Sequence, residues 1–233
     1  MGIEMTDAIA RFFVFLGSDP ERAAQEAKVF NNVNGWVAKQ KNHVAWMGTA
    51  AMLIPFFHIP LMIVDAWYLC RKMSYVCWGI AAIHGCKPSG TADFKVILAH
   101  WSGAIGDEML DAAIVDSTNE LNESALISSI ADQVFKLLIR RHASRSVVVP
   151  VSITASSKSA AVFSQATAKF AAKISLKFFA KIGVKLLAKV FTGFVPLIGV
   201  IVAVSLNRYF VGSIAKSADR YYSTLQKYME QNS

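Results

Sequence analysis

The residues best suited to hold a metal ion lie on one apolar stretch. Cys70, Cys77 and His84 follow one another at intervals of seven residues, and Cys86 comes two residues later. Seven residues of α-helix span about 10.5 Å, whereas ligands that share a zinc ion each lie about 2.0–2.3 Å from it. The spacing therefore predicts a packing seam of reduced core cysteines, with neither a metal site nor a disulfide framework.

Motifs for nucleophilic catalysis or phosphate binding are absent from the chain. Ser213 and Lys216 form an SxxK pair that lacks the partner motifs of enzymes that use it. Gly103 and Gly106 are followed by Asp107 and Glu108, two acids that would repel a phosphate. The sequence offers no catalytic constellation and no cofactor site, and it favours a protein without enzymatic activity.

Lysines recur at four-residue intervals in the C-terminal half. Each step of four residues turns about 40° beyond a full helical turn, so these side chains form a ridge that winds slowly around a helix. Apolar residues such as Phe178 and Ile182 form a parallel ridge. The lysine ridge consists of Lys169, Lys173, Lys177, Lys181, Lys185 and Lys189.

Three interpretations of the lysine ridge remain open. A basic amphipathic helix with large apolar residues opposite is typical of binding at an anionic membrane surface, where each lysine contributes roughly 1 kcal/mol. The ridge would otherwise be a solvated helix face, or be neutralised by the segment 107–132, which holds seven acids and no base. Nucleic acid is disfavoured as a partner, because the opposite face is too apolar to stay in water.

Composition and charge limit the class of protein. Of the 233 residues, 54% are apolar and 17% are charged, against roughly 45–50% and about 25% in soluble domains, which excludes a disordered chain. The formal net charge is +8, and residues 133–218 contain no acid. The positive excess therefore lies in the C-terminal half and points to an acidic partner such as anionic lipid.

Apolar residues at three- to four-residue spacing predict an all-α fold. We expect a single compact multi-helix bundle with buried apolar helical hairpins and a long basic amphipathic helix. Residues 18–21 form a capping box with proline in the first turn, which predicts a helix from residue 19 to about residue 40. Further helices are predicted over 94–104 and up to about residue 145.

An apolar hairpin is predicted over residues 44–86. Residues 44–64 carry no formal charge and match the length of a membrane span, but Pro55 and Pro60 predict two helices that meet near residues 55–60. This segment and the uncharged run 190–207 either form the core or enter lipid, because both kinds of helix have the same composition. Asp65 follows the first segment, and we interpret it as a capping or ion-paired core residue.

The halves of the chain differ in charge and are expected to form one composite domain. Residues 1–145 form an acidic helical half, 146–157 a linker and 158–233 a basic helical half. Glu4 and Asp7 precede only a short apolar run, so we expect no secretory signal peptide. The predicted location is the cytoplasm, peripheral to the inner face of the membrane.

The C-terminal region resembles that of the EcsC family. The resemblance is carried by Pro196-Leu197-Ile198-Gly199 and Asn207-Arg208-Tyr209-Phe210, followed by Tyr221-Tyr222, and upstream by the apolar segment from Pro60 to Asp65. It implies an α-helical bacterial protein, named for an association with an ABC transporter operon, that lies close to a membrane. It implies no catalytic residues, and the family positions would be Asp65, Pro196, Gly199 and Asn207.

These observations predict a non-enzymatic, membrane-associated helical protein that binds an anionic lipid surface through the lysine ridge. One alternative is a pore-forming toxin or effector that inserts its apolar hairpins into a target membrane, and another is a lipid-acting enzyme. The expected partners are anionic membrane lipids and, from the resemblance, a membrane or transporter protein. Lipid specificity and oligomeric state stay open.

Overall fold

The computed structural model describes residues 19–53, 58–88, 90–117, 123–146 and 196–231. These ranges contain seven helices and no strand, which confirms the predicted all-α fold. The helices are α1 (Pro20–Ala27), α2 (Val33–Leu53), α3 (His58–Ile83), α4 (Thr91–Trp101), α5 (Asp107–Asp116), α6 (Glu123–Ser146) and α7 (Pro196–Gln231).

The single helix predicted from residue 19 to about residue 40 is wrong, because the structure has two helices there. The carboxylate of Asp19 accepts a hydrogen bond from the Arg22 amide at 2.8 Å and caps α1, which ends at Ala27. The side chain of Asn32 then accepts from the Gly35 amide at 2.8 Å and caps α2. Asparagine side chains compete with helical backbone bonds and favour caps, which explains the interruption.

Other helix boundaries follow the predictions more closely. α2 ends at Leu53 and α3 begins at His58, in agreement with two helices that meet near residues 55–60. α4 lies three residues earlier than predicted at both ends. It stops because Gly103 adopts a φ of 69°, a left-handed conformation that suits the residue after a helix.

The described helices form two compact units. The long-helix unit contains α1, α2, α3 and α7, and the short-helix unit contains α4, α5 and α6. Apart from Ser146, which ends α6, the predicted linker 146–157 lies outside the described residues. The predicted division into two halves therefore stays a prediction.

Hydrogen bonds fix the register of the long-helix unit. The indole of Trp36 on α2 donates to the carbonyl oxygen of Val76 on α3 at 3.1 Å. Four residues earlier on α3, the ammonium of Lys72 donates to the side-chain oxygen of Gln40 at 3.1 Å, and Gln40 lies four residues later than Trp36 on α2. The two helices are therefore antiparallel.

α7 runs parallel to α3 and closes the core of this unit. Near its start Asn207 bonds to Asp65, and near its end Asp219 bonds to His84. The core between the helices is built from large, fully buried side chains. They are Trp36, Leu69, Met73, Trp78, Ile80, Tyr221 and Tyr222.

The short-helix unit has its own core. α6 packs against both α4 and α5. The apolar faces of the three helices meet in a set of buried side chains. They include Phe94, Ile97, Leu110, Ile114, Ile127 and Ile130.

Candidate functional site

Two of the four family positions contact each other in the long-helix unit. The side-chain amide of Asn207 donates two hydrogen bonds of 3.0 Å, one to the Asp65 carboxylate and one to the Val44 carbonyl oxygen. Asp65 is only 3% exposed. Pro196 and Gly199 lie in the first turn of α7, so the structure does not bring them to this pair. The amide of Asn207 therefore ties α7 to both α2 and α3 at one level along the unit.

Three uncharged helix segments meet at one end of the long-helix unit, which we call the apolar end. α2 runs toward this end, whereas α3 and α7 begin there. The segments are residues 47–53, 58–64 and 196–206, and none contains Asp, Glu, Lys or Arg. They extend about 10–16 Å along their axes beyond the level of Asn207. The two runs predicted to be core or lipid insert thus converge at one end.

A band of exposed aromatic side chains borders the apolar end. Trp46 on α2 is 76% exposed, Trp67 on α3 is 45% exposed and Tyr209 on α7 is 62% exposed. Each is two residues from a member of the Asn207 hydrogen-bonded group, so all three lie within about 3 Å of that level along the axes. Ile201, also exposed, lies on the apolar side of this aromatic band, and exposed Val64 lies within the band.

Cations lie within the aromatic band and on the side of it that faces away from the apolar end. Lys41 on α2, Arg71 on α3 and Arg208 on α7 lie about 2–9 Å beyond the level of Asn207. The guanidinium of Arg208 donates to the side-chain oxygen of Asn42 at 2.6 Å. We call these three residues the basic collar.

A charged cleft of about 440 Å³ opens beside the basic collar. The start of α1, the middle of α2 and the middle of α3 contribute its walls. Its lining residues are Asp19, Arg22, Glu26, His43, Tyr68, Arg71, Lys72 and Tyr75.

Glu26 organises one side of the charged cleft. Its carboxylate accepts from Arg22 at 3.1 Å and from Lys39 at 3.2 Å, and the hydroxyl of Tyr75 also donates to it. Burial raises the pKa of Glu26, but the hydrogen bonds from Lys39, Arg22 and Tyr75 outweigh burial and lower it. Burial and the bond to Glu26 raise the pKa of Tyr75 to about 12, so this phenol stays protonated.

Lys72 organises the other side of the charged cleft. Its ammonium lies 4.8 Å from the centroid of the Tyr75 ring and 5.8 Å from that of Tyr68. Burial lowers the pKa of Lys72, and the neighbouring cation Arg71 adds to this effect. Burial and Lys72 also lower the pKa of His43. Both shifts result mainly from burial, to which the neighbouring cations add.

The cysteines and His84 take up packing positions. Cys70, Cys77 and Cys86 are buried and form no disulfide bond. The ring nitrogens of His84 lie 2.8 Å from oxygens of Asp219 and Gln226 on α7. Among the described residues, no group of three His, Cys, Asp or Glu side chains could hold a metal ion.

A second cleft, of about 760 Å³, lies in the short-helix unit. Asp107 and Glu108 line it at the start of α5, and His100 on α4 bonds to Asp107 at 2.9 Å. The six residues of the lysine ridge lie outside the described residues. Neutralisation of the lysine ridge by this acidic segment therefore stays a prediction.

The charged cleft and the aromatic band were missed in the sequence. A signal was present, since Trp67 and Arg71, and likewise Tyr68 and Lys72, are four residues apart and therefore neighbours on one helix face. The guanidinium of Arg71 indeed lies 5.7 Å from the centroid of the Trp67 ring. Nothing in the sequence indicated that Arg22 and Glu26 would face these residues.

Within the described ranges, none of the helices has the length and apolar character needed to cross a membrane. The resemblance to the EcsC family stays a prediction. Comparisons with protein-family models, with curated proteins and with solved structures find no match to this chain.

Proposed function

We propose that this chain binds the surface of anionic membranes, with the apolar end of the long-helix unit entering the lipid interface. The observation that carries the proposal is the aromatic band, whose members Trp46, Trp67 and Tyr209 come from three helices yet share one level. Tryptophan and tyrosine concentrate at membrane–water interfaces, because their rings combine a large apolar body with a polar group.

The dimensions of the apolar end support this proposal. A bilayer has a hydrocarbon core about 30 Å thick, so one leaflet contributes about 15 Å. The uncharged helix segments extend about 10–16 Å beyond the level of Asn207. With the aromatic band at the interface, the basic collar would lie among the headgroups, where anionic lipids attract lysine and arginine.

The proposal retains the lysine ridge as a second contact and the cytoplasmic face of the membrane as the location. Charge reversal at Lys173, Lys177, Lys181 and Lys185 removes four of its six cations. Since each lysine near the surface contributes roughly 1 kcal/mol, this variant should float poorly with anionic vesicles. Unchanged flotation would argue against a role for the ridge.

Tryptophan fluorescence with lipids brominated on their acyl chains tests the position of the aromatic band. Trp36, Trp78 and Trp101 are buried in the protein, whereas Trp46 and Trp67 are exposed. Vesicle binding should therefore shift the emission to shorter wavelength, and bromine close to the headgroup should quench it. The double variant Trp46→Phe/Trp67→Phe should lose the quenching and still fold, and quenching that persists in this variant would contradict the proposed orientation.

Affinity provides an independent test. Trp46→Ala/Trp67→Ala should weaken binding to anionic vesicles at least about tenfold, since each indole would lose its apolar contact with lipid. Val29→Ser is the control, because Val29 is also exposed but precedes the start of α2, at the end of that helix opposite to the apolar end. Equal weakening by the control would show that the aromatic band has no special role.

Dye release separates surface binding from the pore-forming alternative. Binding to sealed anionic vesicles without release of a trapped dye supports a surface protein. Release at the same ratio of protein to lipid would favour a pore that inserts the apolar segments.

A further inference from the structure

The charged cleft of the long-helix unit has a positive excess. Arg22 and Lys39 both pair with Glu26, and the aspartate that caps α1 is the second carboxylate present. In the part of the chain that the structure describes, Arg71 and Lys72 form no ion pair. Three lining cations and two lining carboxylates leave a formal excess of one positive charge, and Lys39, which bonds to Glu26 from outside the lining, raises that excess to two.

The charged cleft is continuous with the aromatic band. Arg71 lies one helical turn, or about 6 Å, beyond Trp67, and its guanidinium lies 5.7 Å from the centroid of the Trp67 ring. The headgroup region on each side of a bilayer is about 5–7 Å thick. If Trp67 lies at the interface, Arg71, which lines the cleft, is therefore at the depth of the lipid phosphates.

The free donors in the charged cleft suit phosphate oxygens. Arginine presents a planar fork that binds phosphate through two parallel hydrogen bonds. Lys72 has three N–H donors, of which Gln40 accepts one at 3.1 Å. The Tyr68 hydroxyl adds a neutral donor, since burial raises the pKa of Tyr68 and keeps the phenol protonated.

We infer that the charged cleft binds a phosphomonoester, held mainly by Arg71 and Lys72. Such a group carries about −1.5 to −2 charges at pH 7, which matches the excess of two positive charges. In a membrane it is the headgroup of phosphatidic acid, and in solution it is a small ester such as glycerol 3-phosphate. The membrane source rests on the proposed function, whereas the chemistry of the cleft does not.

The test compares two kinds of phosphatidylcholine vesicle with equal surface potential. One contains phosphatidic acid, and the other contains oleate, which supplies charge without a phosphomonoester. The protein should bind the phosphatidic acid vesicles about tenfold more tightly. Arg71→Gln/Lys72→Gln should abolish this preference, and Lys216→Gln/Lys227→Gln, which removes the same charge from exposed positions on α7, should retain it.

Calorimetric titration with glycerol 3-phosphate separates the two sources. If the wild type binds glycerol 3-phosphate and the Arg71→Gln/Lys72→Gln variant does not, the result supports the site. If the wild type also shows no preference between the two kinds of vesicle, the ligand is a soluble ester. Absence of both titration heat and vesicle preference overturns the inference, as does a preference that survives in the double variant. Arg71→Gln alone, at an exposed position, serves if the double variant fails to fold.

The two proposals can fail separately. If no vesicle is bound at all, the proposed membrane function is wrong, and the titration still tests the charged cleft. If both vesicle types bind equally and no ester binds, membrane binding stands and the phosphomonoester site is wrong.

Discussion

Substitution of Gly79 by alanine tests the helix packing on which the charged cleft depends. A Cβ at Gly79 on α3 would lie 2.5 Å from the Cζ2 atom of the Trp36 indole, and closer still to its Nε1 and Cε2 atoms. The indole cannot easily move away. It is fully buried, bonded to the Val76 carbonyl oxygen at 3.1 Å, and flanked by Phe30 and Tyr75 with ring centroids at 5.9 and 5.7 Å.

The expected loss follows from three contributions. Overpacking a close-fitting core costs about 1–3 kcal/mol, and the displaced indole loses a hydrogen bond that contributes about 1 kcal/mol. Replacing glycine by alanine within a helix returns about 1 kcal/mol. Gly79→Ala should therefore lower the free energy of unfolding by about 2 kcal/mol.

Gly212→Ala is the matched control, because it makes the same chemical change in α7. A Cβ there would meet Cε and Nζ of Lys41 at 2.6 and 2.7 Å, the far end of a flexible side chain that can swing aside. This variant should be unchanged or up to about 1 kcal/mol more stable. Urea unfolding followed by circular dichroism measures both variants. If Gly79→Ala unfolds at the same urea concentration as the wild type or Gly212→Ala, the close contact between α2 and α3 is wrong.

Two further predictions concern the polar groups of the long-helix unit. Asn207→Leu should destabilise the protein by about 2–3 kcal/mol in urea unfolding, because it removes the donors to two buried oxygens. The control Asn42→Ala, at an exposed position, should cost no more than about 0.5 kcal/mol. Equal losses in the two variants would show that the buried amide has no special role in stability. Because hydrogen bonds outweigh burial and lower the pKa of folded Glu26, its contribution to stability is complete above the ordinary value of 4.5 and is lost as pH falls through the folded pKa. In unfolding experiments over that acid range, wild type should lose more stability than Glu26→Gln, and parallel curves would show that Glu26 is not stabilised as the contacts indicate.

The predicted all-α fold and the predicted break between α2 and α3 depended on local signals in the sequence. Periodic apolar residues specify helices because neighbours three and four residues apart share a face. Prolines near residues 55–60 indicated the break between α2 and α3, since proline interrupts helical hydrogen bonds. The break before Asn32 was missed because the apolar pattern continued across it, although its cap is equally local.

The candidate site, in contrast, was decided by tertiary structure. Asp65 and Asn207 were each singled out in the sequence, but their contact joins residues 142 positions apart. The sequence alone showed that the runs 44–64 and 190–207 are uncharged. The antiparallel arrangement of α2 and α3 and the direction of α7 bring the described parts of these runs to one end of the unit, with Trp46, Trp67 and Tyr209 beside them. Helix periodicity acts over about four residues, whereas the choice of helix partner and register depends on how side chains fit between distant segments.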